Sequence, residues 1–274
     1  MEFKAFKMDG LGNDFIIIDQ RSKSINLTKE QIIKICDRKF IGCDQLIYIK
    51  KNQEIDARLE FYNSDGSHSE ACGNGTRCVA YFLSKENGKK EILLWTSSGN
   101  LKSKIFENKE VETEIGIPKL NWNEIPLSQN IDTTNLKIKL MDNDNKEFYG
   151  GMAINVGNPH VIFFLEDIDN FNLKKIGPEI ENNSLFPKKC NVTLAKKISN
   201  NLIKVKVWER GAGLTKACGT AACATAVAAN LENLSNSKTE VEFSLGKLLI
   251  NIDTKKSIHM RGPVSNIEEI NIKI

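Results

Sequence analysis

The sequence has no long apolar stretch, and none of its runs approaches the roughly 18 residues that a membrane-spanning helix needs. It has no C-x-x-C pair and only three histidines, His68, His160 and His259, none near a second ligand at zinc-finger spacing. No structural metal site is expected. No excess of one charge exists either: 38 Lys+Arg against 35 Asp+Glu leave a net charge of +3. That balance argues against a nucleic-acid partner and offers no field for steering onto a membrane. A G-x-G-x-x-G following a strand, a P-loop and a lysine in a Schiff-base setting are all missing, so no cofactor is signalled. Met1–Gly10 is charged and short of apolar length, so no signal peptide is expected. The chain reads as soluble and cytoplasmic.

Hydrophobic residues make up 41% and charged residues 27% of the 274 residues, which is ordinary globular usage and argues against disorder. The length corresponds to slightly under two domains at about 150 residues each. Seven cysteines stand at 36, 43, 72, 78, 190, 218 and 223. Without a secretory signal they do not read as a disulfide framework, and Cys36, Cys43, Cys78, Cys190 and Cys223 read as small buried hydrophobes.

Aligned with itself, the chain shows a duplication. Gly12-Asn13-Asp14-Phe15 matches Gly157-Asn158-Pro159-His160 at an offset of 145, and Ala71-Cys72-Gly73-Asn74 matches Ala217-Cys218-Gly219-Thr220 at 146. Between these anchors Phe40 pairs with Phe186, Gln45 with Asn191, and Arg58–Asn63 with Lys204–Glu209, all at 146. Two copies of one fold are therefore expected. The first spans 1–118 plus 264–274 and the second 119–263, with Pro118–Pro126 as linker and Gly262-Pro263 returning the last strand to the first copy.

Each copy places a strand after the Gly-Asn turn (Phe15–Asp19; Val161–Leu165), and a polar helical stretch follows. In the first copy this is Thr28–Arg38, with Thr28 as N-cap and Gln31 at the capping-box position. Next come a strand, a Gly-rich loop ending at a cysteine, and a helix: Asn74 to about Asn87, stopping before Gly88, and Thr220 to about Glu232. Both helices are apolar around most of their circumference and should be buried. Glu91–Thr96, Leu101–Phe106, Leu136–Leu140 and Val241–Leu249 supply further strands. The expected class is α+β: two pseudo-symmetric repeat domains, each a curved mixed or antiparallel, barrel-like sheet around a central buried helix.

Cys72 and Cys218 each stand where the loop becomes that helix. The first turn of a helix has unpaired N–H groups and the positive end of the dipole, which should lower a thiol from its usual value of about 8.5 and hold a carboxylate. Gly73 and Gly219 allow close backbone approach. Two copies facing each other would set two thiols on opposite sides of one cleft. A thiolate and a thiol so placed suit inversion of a carbon stereocentre, one removing a proton and the other returning one to the opposite face. Growing carboxylate charge would meet fixed N–H donors.

These residues resemble the diaminopimelate epimerase family over the whole chain, from Phe6-Lys7-Met8-Asp9-Gly10-Leu11-Gly12-Asn13-Asp14-Phe15 to Met260-Arg261-Gly262-Pro263. The most specific segments are Asn63–Ser67 leading to Ala71–Cys78, Gly157–His160, and Glu209–Thr220. The resemblance implies a cofactor-independent isomerase that interconverts LL- and meso-diaminopimelate in lysine and peptidoglycan precursor synthesis, commonly as a homodimer. It implies that Cys72 and Cys218 are the acid/base pair and that Gly73-Asn74 and Gly219-Thr220 supply donors to the reacting carboxylate. It further implies that Asn13, Gln45, Asn63, Asn158, Asn191 and Arg210 line the substrate cleft, and that Glu209, holding the ammonium, and His160, near the thiols, count with the cysteines among the catalytic residues. The chain departs from the pattern at Leu214, where many members have Glu, and at Cys190, where an aliphatic residue is common.

Alternatives stand beside these readings. Arg210 taken alone is equally a surface ion pair, His160 equally a packed histidine, and Asn13, Asn63 and Asn158 could be turn-formers. His68 reads as solvated and Asp65-Gly66 as a turn. A proline-racemase-like enzyme also uses two cysteines but typically has Gly-His-Gly after the first, where Gly73-Asn74-Gly75 stands here. Phenazine-biosynthesis-like relatives lack the pair. A thiol-disulfide protein and a non-enzymatic amino-acid-binding module are the rivals from other classes.

Overall fold

A computed structural model describes residues 1–69, 72–97 and 99–274. Ala71, one half of a repeat anchor, lies outside them. The chain divides into two compact units, Met1–Glu114 with Arg261–Ile274, and Ile115–Met260.

In the first unit the elements run β1 (Glu2–Gly10), β2 (Asn13–Asp19), α1 (Lys29–Cys36), β3 (Gln45–Lys50), β4 (Ala57–Asn63), β5 (His68–Ser69), α2 (Gly73–Asn87), β6 (Glu91–Thr96), β7 (Gly99–Ile105) and β8, which starts at Glu110 and runs to Gly116. The β2–β3 pair is parallel, as is β4–β6, and β1–β2, β3–β4, β6–β7 and β7–β8 are antiparallel, so the sheet is mixed.

The continuous apolar run Phe15-Ile16-Ile17-Ile18 has a direct physical reason. Phe15 and Ile17 face a core built on Val79, Phe82 and Leu83 of α2, while Ile16 and Ile18 face a second core with Ile32 and Ile35 of α1. A strand covered on both faces cannot alternate apolar with polar. The α2 helix is buried from Asn74 through Leu83 and ends at Gly88, whose φ of 73° is left-handed and whose N–H donates to Ser84 O at 2.8 Å. Gly75 is what lets the first turn of α2 reach the sheet: a Cβ there would lie 2.7 Å from Ile47 Cδ1 and 3.1 Å from Phe61 Cε1.

The second unit repeats this plan with additions. Its elements are β9 (Ile138–Met141), β10 (Glu147–Gly150), β11 (Met152–Asn155), β12 (Pro159–Phe164), α3 (Leu173–Glu181), β13 (Asn191–Ser199), β14 (Leu202–Glu209), β15 (Gly213–Thr215), α4 (Gly219–Leu231), β16 (Lys238–Phe243) and β17 (Gly246–Ile252). Strand β18 (Ile258–Pro263) carries the chain back to the first unit, where β19 (Glu268–Lys273) pairs with β1.

The registers coincide with those of the first unit. Leu46 opposes Tyr62 as Val192 opposes Trp208, and Phe15 opposes Gln45 as His160 opposes Asn191. The α4 helix is buried from Gly219 to Ala229 with only Thr220 partly open. Among the described residues no helix is long and apolar enough to cross a membrane.

Four local expectations are corrected. Helix α1 has its capping box, but it stops at Cys36 because Asp37 is extended and Arg38 turns away to bind Asp14 and Asp44. Val241–Leu249 is a hairpin, not one strand: Phe243 opposes Gly246 around Ser244-Leu245, with Leu245 half exposed. The turn changes the parity of the buried positions, so the apolar spacing misleads. Pro118–Pro126 is not a free linker, since Lys119 bridges to Asn155 and Ile125 is buried in the second unit's core. Phe40 and Phe186 match in sequence but not in burial, the first being exposed and the second buried.

Candidate active site

In the first unit, Cys72 is the N-cap of α2 with φ −144° and ψ 112°, and its side chain makes no capping hydrogen bond. Its carbonyl accepts from Thr76 N and Thr76 Oγ1, both at 2.8 Å, which secures the start of the helix. The thiol lies 3.8 Å from Asn13 Oδ1, which also accepts from Asn74 Nδ2 at 3.3 Å. Asn13 in turn donates to Asp44 Oδ2 at 2.8 Å, and Gln45 Nε2 donates to Asn63 Oδ1 at 2.9 Å.

The sheet explains this grouping. Asn13 and Gln45 open the parallel strands β2 and β3, and Asn63 closes the antiparallel β4, so all three fall at one sheet end. Gln45 Oε1 and Asn74 Oδ1 are buried acceptors without a hydrogen-bond partner among the described residues. Buried acceptors of that kind suit a ligand that brings donors, such as an ammonium group.

In the second unit, Cys218 caps α4 with φ −143° and ψ 115°, within 3° of the Cys72 values, again without a side-chain capping bond. The thiol is 6% exposed and lies 3.5 Å from Thr220 Oγ1. The helix start does not lower this thiol. Burial pushes it well above the ordinary thiol range, and the Glu209 carboxylate adds to the rise. Donation from Thr220 and from the Ala221 N–H oppose this but do not prevail. Cys218 therefore carries its proton at neutral pH.

Removing the Glu209 charge should lower that thiol. Glu209→Gln in a Cys72→Ser background should move the pH midpoint of Cys218 alkylation by iodoacetamide downward. An unmoved or rising midpoint would show that Glu209 does not act on the thiol.

His160 is fully buried, and its Nε2 lies 2.8 Å from Asn158 Oδ1, which accepts the ring proton. Nδ1 has no hydrogen-bond partner among the described residues. Burial first and the Arg210 charge second depress the ring from 6.5 to about 3, so it is neutral across the physiological range. Asn191 donates to Pro159 O at 3.0 Å and accepts from Arg210 N at 3.0 Å, which ties the start of β12 to the end of β14. The Arg210 side chain is exposed and donates one Nη1 bond to Lys188 O at 3.0 Å, leaving further N–H groups in the guanidinium fork. Gly73 and Asn74, and Gly219 and Thr220, form the first turns of their helices.

Two supporting residues escape the sequence. Asp44 holds Asn13 and binds Arg38, and nothing in its local motif announces this. Glu181, at the end of α3, accepts from Trp208 Nε1 at 2.7 Å and Gly211 N at 3.2 Å, and so braces the turn after Glu209. That contact depends on how α3 packs on β14, where Gly177 lies against the indole: a Cβ there would come within 2.6 Å of it. His68 is exposed, edge-on to Tyr62, and Asp65-Gly66 is a turn, with Gly66 at φ 75° donating to Asn63 O. Cys36, Cys43, Cys78, Cys190 and Cys223 are all buried.

The family model described as diaminopimelate epimerase matches residues 5–121 and 152–267, which takes in both units and both cysteine turns. The chain is 72% identical to a diaminopimelate epimerase of Pelagibacter ubique (strain HTCC1062) over the full length of both proteins. It is 38% identical to one of Acidiphilium cryptum (strain JF-5), over 96% of this chain and 94% of that one. Among solved structures, a predicted epimerase from Pseudomonas aeruginosa superposes with a TM-score of 0.71 at 13% identity, over 99% of this chain and 100% of the other. A Bacillus anthracis protein of the phenazine biosynthesis PhzF family gives 0.65 at 16% identity over the whole of both chains. At such identities the structures share the fold and nothing more. The two-part family match and the full-length relatives go further: this chain is an isomerase belonging to the diaminopimelate epimerase family.

Proposed function

We infer that this protein interconverts LL- and meso-2,6-diaminopimelate by a cofactor-independent, two-base transfer of the α-proton, with Cys72 and Cys218 as the pair. The observation that carries the reading is the matched placement of the two thiols, each the N-cap of a buried helix in the same extended conformation. Neither cysteine side chain makes a capping hydrogen bond, and the N–H groups at Gly73-Asn74 and Gly219-Thr220, in the first helical turns, are the donors that would meet a carboxylate.

In the mechanism, a thiolate removes the α-proton and the other thiol returns one to the opposite face. Negative charge that spreads into the carboxylate meets the N–H groups at Gly73-Asn74 and Gly219-Thr220. Cys218, held protonated by burial and Glu209, is suited to be the donor in the resting form, with Cys72 as base. In the reverse direction the roles exchange. Glu209 binds the ammonium on the reacting carbon, which would lower its effect on the thiol as substrate enters. Asn13, Gln45, Asn63, Asn158 and Asn191 orient the substrate, and Arg210 offers a fork for its second carboxylate. His160, neutral and buried, orients Asn158 and is a positioning residue. The product would feed lysine and peptidoglycan precursor synthesis.

Incubation with LL-diaminopimelate in heavy water should give meso product with solvent deuterium at one α-carbon. Exchange into L-proline without exchange into diaminopimelate would overturn the substrate assignment.

A further inference from the structure

Outside the candidate site, the first unit holds a second pair of cysteines. Cys36 is the last residue of α1, and Cys43 follows a short loop that folds back on the helix end. Cys43 N–H donates to Cys36 O at 3.2 Å, Gly42 N–H donates to Ile35 O at 3.0 Å, and the two sulfurs lie 3.4 Å apart. Gly42 makes the return possible: its φ is +79°, and a Cβ there would come within 2.8 Å of Arg38 Cδ. Both thiols are buried, at 3% and 2% exposure, in the core that contains Ile16, Ile32, Ile35, Leu46 and Tyr48.

We propose that Cys36 and Cys43 are a modification site, a thiol pair that small neutral peroxides convert to a reversible intramolecular disulfide within the native fold. The sulfurs need to approach by only about 1.4 Å to reach bonding distance. The helix end and the loop are already tied by backbone hydrogen bonds, so no long segment must be ordered.

The chemistry balances in two steps. The Cys36 sulfur attacks the peroxide O–O bond, forming a sulfenic acid and releasing water from hydrogen peroxide. The Cys43 sulfur then attacks the Cys36 sulfur, the S–O bond breaks, and its hydroxyl leaves as a second water with the Cys43 proton. The peroxide is reduced and the two thiols are oxidised by two electrons in all. Hydrogen bonding supports this order, since donation from Cys43 holds the Cys36 sulfur below the ordinary thiol range while Cys43 itself is raised. Burial decides the class of oxidant. A peroxide is small enough to enter with a local opening, whereas a charged, bulky disulfide such as oxidised glutathione is not.

The site also has neighbours that matter. Cys43 is followed by Asp44, which holds Asn13, and by Gln45. Cys43 of the pair thus lies two residues before Gln45, at the start of the strand that carries part of the candidate active site.

Peptide mapping tests the proposal without reference to substrate or activity. Trypsin cuts after Lys34, Arg38, Lys39 and Lys50, so Cys36 lies in Ile35–Arg38 and Cys43 in Phe40–Lys50. The native protein, treated with hydrogen peroxide, quenched in acid, alkylated under denaturing conditions and digested, should yield these two peptides joined and separable by dithiothreitol. Oxidised glutathione under the same conditions should leave both alkylated. Cys43→Ala should instead accumulate a dimedone-reactive sulfenic acid at Cys36. Recovery of both cysteines as alkylated thiols after peroxide, or of Cys36 joined to any other cysteine, would overturn the proposal.

Discussion

Cys72→Ser and Cys218→Ser should each lower epimerisation of diaminopimelate by about 10²–10⁴-fold, the range that a positioned acid or base contributes. A hydroxyl is a far weaker acid than a thiol, so the serine variant keeps the shape of the site and loses a usable proton carrier. The fold should survive, because each cysteine starts its helix in an extended backbone conformation that serine also adopts. A hydroxyl can replace the Cys218 sulfur as acceptor for the Ala221 N–H. Circular dichroism and thermal unfolding check that point, and the coupled assay of meso product checks the loss. The two variants need not behave alike in exchange. Each retains one thiol, so each should exchange the α-proton of at most one stereoisomer with solvent while failing to invert it. Near-wild-type turnover in either variant would sink the two-base mechanism, whatever the other shows.

The second large effect concerns His160 and acid. Its ring is fully buried and its pKa falls from 6.5 to about 3 on folding. Between those values the unfolded chain binds a proton that the native state refuses, so stability falls as pH falls across the window and is fully present above 6.5. The slope is about 1.4 kcal/mol per pH unit, and the whole span amounts to on the order of 5 kcal/mol, a large share of a typical domain's stability. His160→Gln removes the titration. The variant should lose some stability at pH 7, because the ring's bond to Asn158 is cut. It should also lose less than wild type between pH 7 and pH 4 in urea unfolding. Carboxylates common to both proteins cancel in that difference. Equal pH dependence in the two proteins would show that the ring is not held neutral.

What could be read from the chain is whatever depends on local order and repetition. The matched turns at Gly12-Asn13 and Gly157-Asn158, and the cysteines at the start of two apolar helices, are statements about neighbours in sequence. The coincident registers of β3–β4 and β13–β14 show that this similarity extends to strand pairing. The capping box of α1 and the left-handed end of α2 at Gly88 were legible for the same reason, since each is closed by residues within four positions.

The rest is decided by burial and by contacts between distant segments. No local signal separates Asp44, which holds Asn13 across the sheet end, from any other surface aspartate. Glu181 acquires its role only when Gly177 lets α3 lie on Trp208. The helix dipole, argued from sequence, points toward a reactive, low thiol at Cys218. Desolvation reverses that sign, because a charge removed from water costs more than a few N–H dipoles return. His160 follows the same rule: its identity is written in the sequence, but its neutrality comes from the packing around it. The sequence by itself determined two copies of one fold with a thiol at each helix start. Only the tertiary structure decided which groups carry protons there, because protonation depends on solvent access and on charges brought near by folding.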